Sequence, residues 1–220
     1  MHGGAFTISL DPNFAKKSGL IIYENPETKE SRRVLSATKN EFVDNISINW
    51  LPKDIDKHSG GAHNGDNYVA YTFYVENQGS DTVNYWYTIL VDDVIKNVDT
   101  AVRVMVFLNG ERTVYAKPAR NGGAEPGTVP FYSDDVVMMA QRANFQEGEQ
   151  DKITVVIFLE GDDPECVDAI IGGEMKMHME ITEEHIGNAD KIETKTEENT
   201  NETLQQNDQN MTNNDQNMTI

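Results

Sequence analysis

The densest group of chemically capable side chains in this 220-residue chain is Glu160, Asp162, Asp163, Glu165 and Asp168. A hard cation such as Ca²⁺ needs several oxygens from one loop, so Asp162, Asp163, Glu165 and Asp168 are candidate calcium ligands. Their spacing does not match the EF-hand pattern, and a structural reading competes. Asp163 can cap a helix with Pro164 at its first position and Gly172 in the left-handed exit after Ile171. The acidic first turn would complement the helix dipole. That reading predicts one short helix near residues 164–171.

Aromatic residues form the second group. Tyr68, Tyr71, Tyr74, Tyr85, Trp86 and Tyr87 would make a sugar- or protein-binding platform if several shared an exposed face, with Tyr85, Trp86 and Tyr87 at its centre. The same residues are ordinary filling for a sheet core, and alternation turns Trp86 away from Tyr85 and Tyr87. Histidine chemistry is thin. His178, Glu180, Glu183, Glu184 and His185 do not fit H-E-x-x-H or H-x-x-E-H, and His178 falls on the solvent face of an alternating strand. His58 and His63 lie among glycines, where two ligands could meet if the loop folded back, but a flexible linker is the better reading. Cys166 is the single cysteine, so no disulfide within the chain and no cysteine-based zinc site can form. Its acidic neighbours disfavour the thiolate, and no serine stands in a G-x-S-x-G elbow.

The elements that would carry these residues are strands. Tyr68 to Val75, Val83 to Val91 and Val102 to Leu108 follow one another with only turn chemistry between the first two, and Asn109-Gly110 is a type I′ hairpin signal leading into Glu111 to Ala116. Lys152 to Glu160 is a further strand. In the last one, Met175, Met177, Met179 and Ile181 face inward while Glu174, Lys176, His178 and Glu180 face water. Phe6 to Leu10 and Leu20 to Tyr23 are short strands separated by Asp11-Pro12-Asn13, Val43 to Ile48 is another, and residues 52–67 read as a long loop. Roughly eight to ten strands in an all-β chain predict a two-sheet antiparallel sandwich, jelly-roll-like in its connections.

Composition bounds the partners. Asp and Glu number 37 against 18 Lys and Arg, a net charge of −19, which opposes nucleic acid and anionic lipid. No apolar run approaches the roughly 20 residues of a membrane span. Residues 183–220 hold nine acidic residues and two lysines, and 11 of the last 22 residues are Asn or Gln. Such a segment cannot bury enough apolar surface to offset its ordering entropy. The expected organisation is one sandwich over residues 1–182 and a disordered acidic tail over 183–220. Met-His-Gly-Gly-Ala-Phe lacks the regions of a signal peptide, and its small residues are those that flank a cleavage site, so a mature exported chain is expected, with the cytosol as the alternative.

The run Tyr71-Thr-Phe-Tyr-Val-Glu-Asn-Gln-Gly79 through Tyr85, with Ile157-Phe-Leu-Glu-Gly161 ahead of a final strand, resembles the TasA and camelysin-like secreted proteins of Gram-positive bacteria over about residues 68–181. The resemblance implies a jelly-roll subunit of extracellular matrix filaments, assembled by an N-terminal strand given to the next subunit. Here that strand is Ala5, Phe6, Thr7, Ile8, Ser9 and Leu10. Camelysin is described as a metallopeptidase, but no zinc signature stands in this chain to carry that activity over. The function expected is a non-catalytic, extracellular or cell-surface structural protein that assembles with itself or other matrix proteins, with no required cofactor. The alternative is a carbohydrate- or calcium-binding sandwich module.

Overall fold

A computed structural model describes residues 5–38 and 44–183. Apart from Glu183, the expected tail lies outside the described residues. Among the described residues thirteen strands run in chain order: β1 (Ala5–Leu10), β2 (Leu20–Tyr23), β3 (Val34–Thr38), β4 (Asn45–Ile46), β5 (Gly61–Ala62), β6 (Tyr68–Asn77), β7 (Val83–Ile95), β8 (Val102–Leu108), β9 (Glu111–Ala116), β10 (Val129–Pro130), β11 (Val136–Phe145), β12 (Gln150–Glu160) and β13 (Glu174–Thr182). They form a five-stranded sheet in the order β11-β7-β13-β1-β3. An eight-stranded sheet runs β10-β9-β8-β12-β6-β2, with β4 on β12 and β5 on β6. The expected all-β sandwich is what the chain forms. The sheets are mixed rather than purely antiparallel, because β1 runs parallel to β13, β10 to β9 and β4 to β12.

Period-2 alternation decides the layers. Met175, Met177, Met179 and Ile181 of β13 are all buried, together with Phe6, Ile8 and Leu10 of β1 and Tyr85, Tyr87 and Ile89 of β7. They pack against Tyr71, Phe73 and Val75 of β6, Val104 and Val106 of β8, and Ile153, Val155 and Ile157 of β12. A second apolar layer lies on the far side of the eight-stranded sheet. There Leu51 and Ile55 cover Ala70, Met105, Phe107, Val156 and Phe158. This explains why β6 and β12 are apolar on both faces: each is roofed twice.

The expected helix near residues 164–171 is absent, and only a 3-10 turn at Asp168–Ile170 stands there. Asp163 is drawn into other bonds: one oxygen accepts from the Glu165 N–H at 2.7 Å, closing an Asx turn, and the other takes the Arg103 guanidinium. Val167 is extended, which suits a β-branched residue. The same cap, proline and glycine logic operates instead at the other end of the chain. Asp11 accepts from the Phe14 N–H at 2.7 Å, Pro12 occupies the first turn, and α1 (Pro12–Ser18) ends at Gly19 with φ 76°. A Cβ on Gly19 would stand 2.6 Å from the Gly79 backbone, so this close crossing requires glycine.

Further segments differ from expectation. The strand expected over Val43–Ile48 is only Asn45–Ile46, with Val43 outside the described residues. β7 continues past the expected Val91 through Asp92 to Ile95, and β11 carries register shifts beside Met138 and Arg142. Residues 52–67 are no flexible linker: they pack down on the sheet, and a Cβ on Gly60 would overlap the Glu24 carbonyl. The glycine there serves close approach rather than looseness.

Candidate functional site

The strand singled out for assembly, β1, sits inside the five-stranded sheet. It pairs in parallel with β13, Phe6 opposite Met177 and Ile8 opposite Met179, and antiparallel with β3, Ile8 opposite Leu35. Phe6, Ile8 and Leu10 point into the core, and Thr7 and Ser9 turn to the half-buried outer face. The strand is closed at its end by two main-chain bonds, from the Leu10 N–H to the Arg33 carbonyl and from the Asp11 N–H to the Ile181 carbonyl at 2.9 Å. The chain then leaves through α1, whose Lys17 pairs with Glu183 just beyond β13, and enters β2 in the opposite sheet. β1 thus fills a slot bounded by two strand edges with three apolar side chains, and a short helical connection follows it.

The acidic group lies at the mouth of a cleft of about 550 Å³ on the outer face of the eight-stranded sheet, between Ile48, Val114, Pro126 and Pro164. Its carboxylates are already engaged by other groups. Asp163 pairs with Arg103, which sits in β8 and is 4% exposed, while Glu125 reaches the same guanidinium at 3.7 Å. Glu165 pairs with Arg120 at 3.0 Å, and Asp162 accepts from the Ser47 hydroxyl at 2.6 Å. Glu160 accepts from the Ile48 N–H at 3.1 Å. Asp168 stands apart on the exposed 3-10 turn. Among the described residues no group of three or more His, Cys, Asp or Glu side chains could hold a metal ion, so the calcium reading loses its ligand set. The reason is local: Arg103 and Arg120 neutralise carboxylates that a cation would need.

The aromatic platform does not form either. Tyr85 is 0% and Tyr87 7% exposed, both turned into the core, with Tyr85 packed edge-on to Phe145 at 5.3 Å. The Tyr85 hydroxyl donates to Asp151 at 2.6 Å, and Arg142 holds the same carboxylate at 3.0 Å. Burial and then the Asp151 charge push the Tyr85 phenol well above its ordinary range, and burial pushes Tyr87 up to about 12. Trp86, on the opposite face, is half-buried between Gln141 and Thr182 on its neighbouring strands.

The remaining candidates have structural surroundings. His178 is half-buried and bridges Asp92 at 2.8 Å and Glu180 at 3.3 Å, rather than standing free in water. The Cys166 thiol is pushed up by burial first and Asp163 second, which keeps it protonated and unreactive. Sequence reading missed one arrangement and ranked another below its alternative. The one missed is the Arg103 ion pair, signalled only by an arginine inside Val102-Arg-Val-Met-Val. The one ranked second to a flexible linker is the meeting of His58 and His63, whose rings stack at 4.0 Å.

Among the described residues no helix is long and apolar enough to cross a membrane. No protein-family profile and no curated protein matches the chain. Among solved structures it is similar to a β-glucosidase from Kluyveromyces marxianus in complex with glucose, at 13% identity and a TM-score of 0.29, over 80% of this chain and 17% of that one. The selenomethionine-labelled form of that enzyme gives 12% identity and 0.28, over 80% and 18%. The chain thus spans less than a fifth of their length, and a likeness at that TM-score carries no argument about fold or activity.

Proposed function

We propose that this chain is a non-catalytic structural subunit that assembles with copies of itself by exchange of β1, in the manner of the TasA and camelysin-like matrix proteins it resembles. The setting proposed is the cell surface or extracellular matrix of a Gram-positive bacterium. One observation supports the reading most: the first described strand, β1, pairs in parallel with the last described strand, β13, and lies between it and β3 within one sheet. In the single chain β1 fills its own slot. Assembly requires it to withdraw and enter a neighbour's slot, where it would recover the same ladder bonds and the same burial of Phe6, Ile8 and Leu10. Such an exchange costs little beyond the rearrangement of α1, and when each chain gives its strand to the next rather than exchanging it reciprocally, it propagates into a filament. Burial of Tyr85 and Tyr87 supports a structural over a sugar-binding role.

The test compares the full chain with a variant lacking residues 1–10, by light scattering and electron microscopy, with and without an added peptide of residues 1–12. Filaments from the full chain, lost in the truncated one, and occupation of the truncated chain by the peptide are expected. A full chain that remains monomeric across concentration, salt and pH, while the peptide also fails to bind, would sink the proposal.

A further inference from the structure

Residues 44–67 form a flap across the outer face of the eight-stranded sheet, and its two halves are held by different chemistry. The first half is apolar, with Leu51 and Ile55 seated on Met105, Phe107, Val156 and Phe158. The second half is held by polar bonds: the pairing of β5 with β6, the bond from the Ala70 N–H to the Asn64 side-chain oxygen, and His63. The His63 main-chain N–H donates to the Ala70 carbonyl at 2.9 Å, and its Nε2 lies 2.9 Å from the Thr72 hydroxyl, itself 2.7 Å from that of Thr154. The ring of His58 lies over that of His63 at 4.0 Å, with only 6° between the planes. The Nδ1 atom of His63 is buried and has no hydrogen-bond partner.

The charged surroundings are unfavourable to an imidazolium. From β12 comes Lys152, whose ammonium donates to the Asp56 main-chain oxygen at 2.8 Å. From the flap come His58, Lys57 and Asp56, the last two paired at 3.4 Å. From β6 come the neutral Thr72 and Tyr74, whose hydroxyl donates to the Ser59 carbonyl. Glu24, beyond Gly60, accepts from the Tyr71 hydroxyl. Among the described residues no carboxylate is within hydrogen-bond distance of the His63 ring. A proton on it would therefore place a charge between an imidazole and a lysine, with a buried N–H that has no acceptor.

We propose that the His58–His63 stack is an acid-release latch: neutral, it docks residues 54–67 on the sheet, and protonated, it lets them go and uncovers the apolar outer face. Burial, then the His58 and Lys152 charges, lower the His63 pKa from 6.5 to about 4. The sign follows. A released ring takes its proton near 6.5 and a docked one only near 4, so docking keeps its full margin above pH 6.5, loses it steadily below, and loses no more beneath pH 4. Release should become roughly 10- to 100-fold easier between about pH 7 and about pH 4, less than the whole pKa difference implies, because the ring is half-buried and partly screened by water.

Hydrogen exchange on the full chain at about pH 7, 6, 5 and 4, corrected for intrinsic rates, tests this in the wild type and in His63→Gln, which keeps a hydrogen-bonding side chain that does not titrate. The expected result is loss of protection over residues 54–67 in acid while residues 153–158 remain protected, with the pH dependence abolished in His63→Gln. An unchanged pH dependence in that variant would overturn the latch. So would flap and sheet opening together at every pH. A histidine NMR titration of the wild type tests the latch a second time, whether or not the variant folds: a His63 ring that titrates near its ordinary 6.5 with the flap still docked refutes the proposal.

Discussion

Arg103 lies on the outer face of β8 with Met105 and Phe107, a face that is itself covered, while Val102 and Val104 on either side turn to the main core. It is tolerated because Asp163 and Glu125 meet its guanidinium, and a buried cation with excellent partners is far less costly than one without. The same pairing turned the Asp163 carboxylate away from capping a helix and away from any cation. Arg103→Leu leaves two buried carboxylates without a charge partner, so a loss of about 3–5 kcal/mol is expected in urea unfolding. Asp163→Asn leaves Arg103 with Glu125 and should cost less, and the double variant should recover part of the single loss. Additive losses would show that the pair is not coupled.

At the scale of elements, β1 and α1 work as one unit. The strand supplies three core side chains, and α1 carries the chain from one sheet to the other within a short helix. Ile8→Ala should destabilise by about 2–5 kcal/mol, because a fully buried branched side chain leaves a cavity between Met179 and Leu35. Ser9→Ala, on the half-buried outer face, should cost under about 1 kcal/mol, and Asp11→Ala, which removes the helix cap, about 1 kcal/mol. Equal losses at Ile8 and Ser9, measured by the same denaturant midpoint, would contradict this register. Ile8→Ala also bears on assembly, since the same side chain would fill a neighbour's slot.

Over the whole molecule, buried phenols set the alkaline limit. Burial raises Tyr23, Tyr71 and Tyr85 above the ordinary 10.0, with Glu76, Glu24 and Asp151 adding to it, and raises Tyr87 to about 12. A phenol raised in the folded state contributes stability that is complete below about pH 10 and is lost as pH rises through the folded values. The chain should therefore unfold cooperatively above about pH 10, with phenolate absorbance appearing together with loss of tertiary circular dichroism. Phenolate growth in a still-folded chain would show these rings to be accessible. Much of the architecture was legible beforehand. The alternation in β13, the Asn109-Gly110 turn and the two-sided apolarity of β6 each report a local choice between core and water, which neighbouring residues alone can express. The candidate site was less legible. Whether Asp163 caps a helix, binds a cation or meets Arg103 depends on a partner 60 residues away in the chain, and Tyr85 is buried because the second sheet covers the face of β7 that carries it. Composition and period by themselves determined an acidic, all-β sandwich with aromatic core strands. Only the tertiary structure decided that β1 lies parallel to β13, that the acidic loop is neutralised by arginines and that two histidines from a glycine-rich loop meet, because each rests on contacts between residues that no local pattern connects.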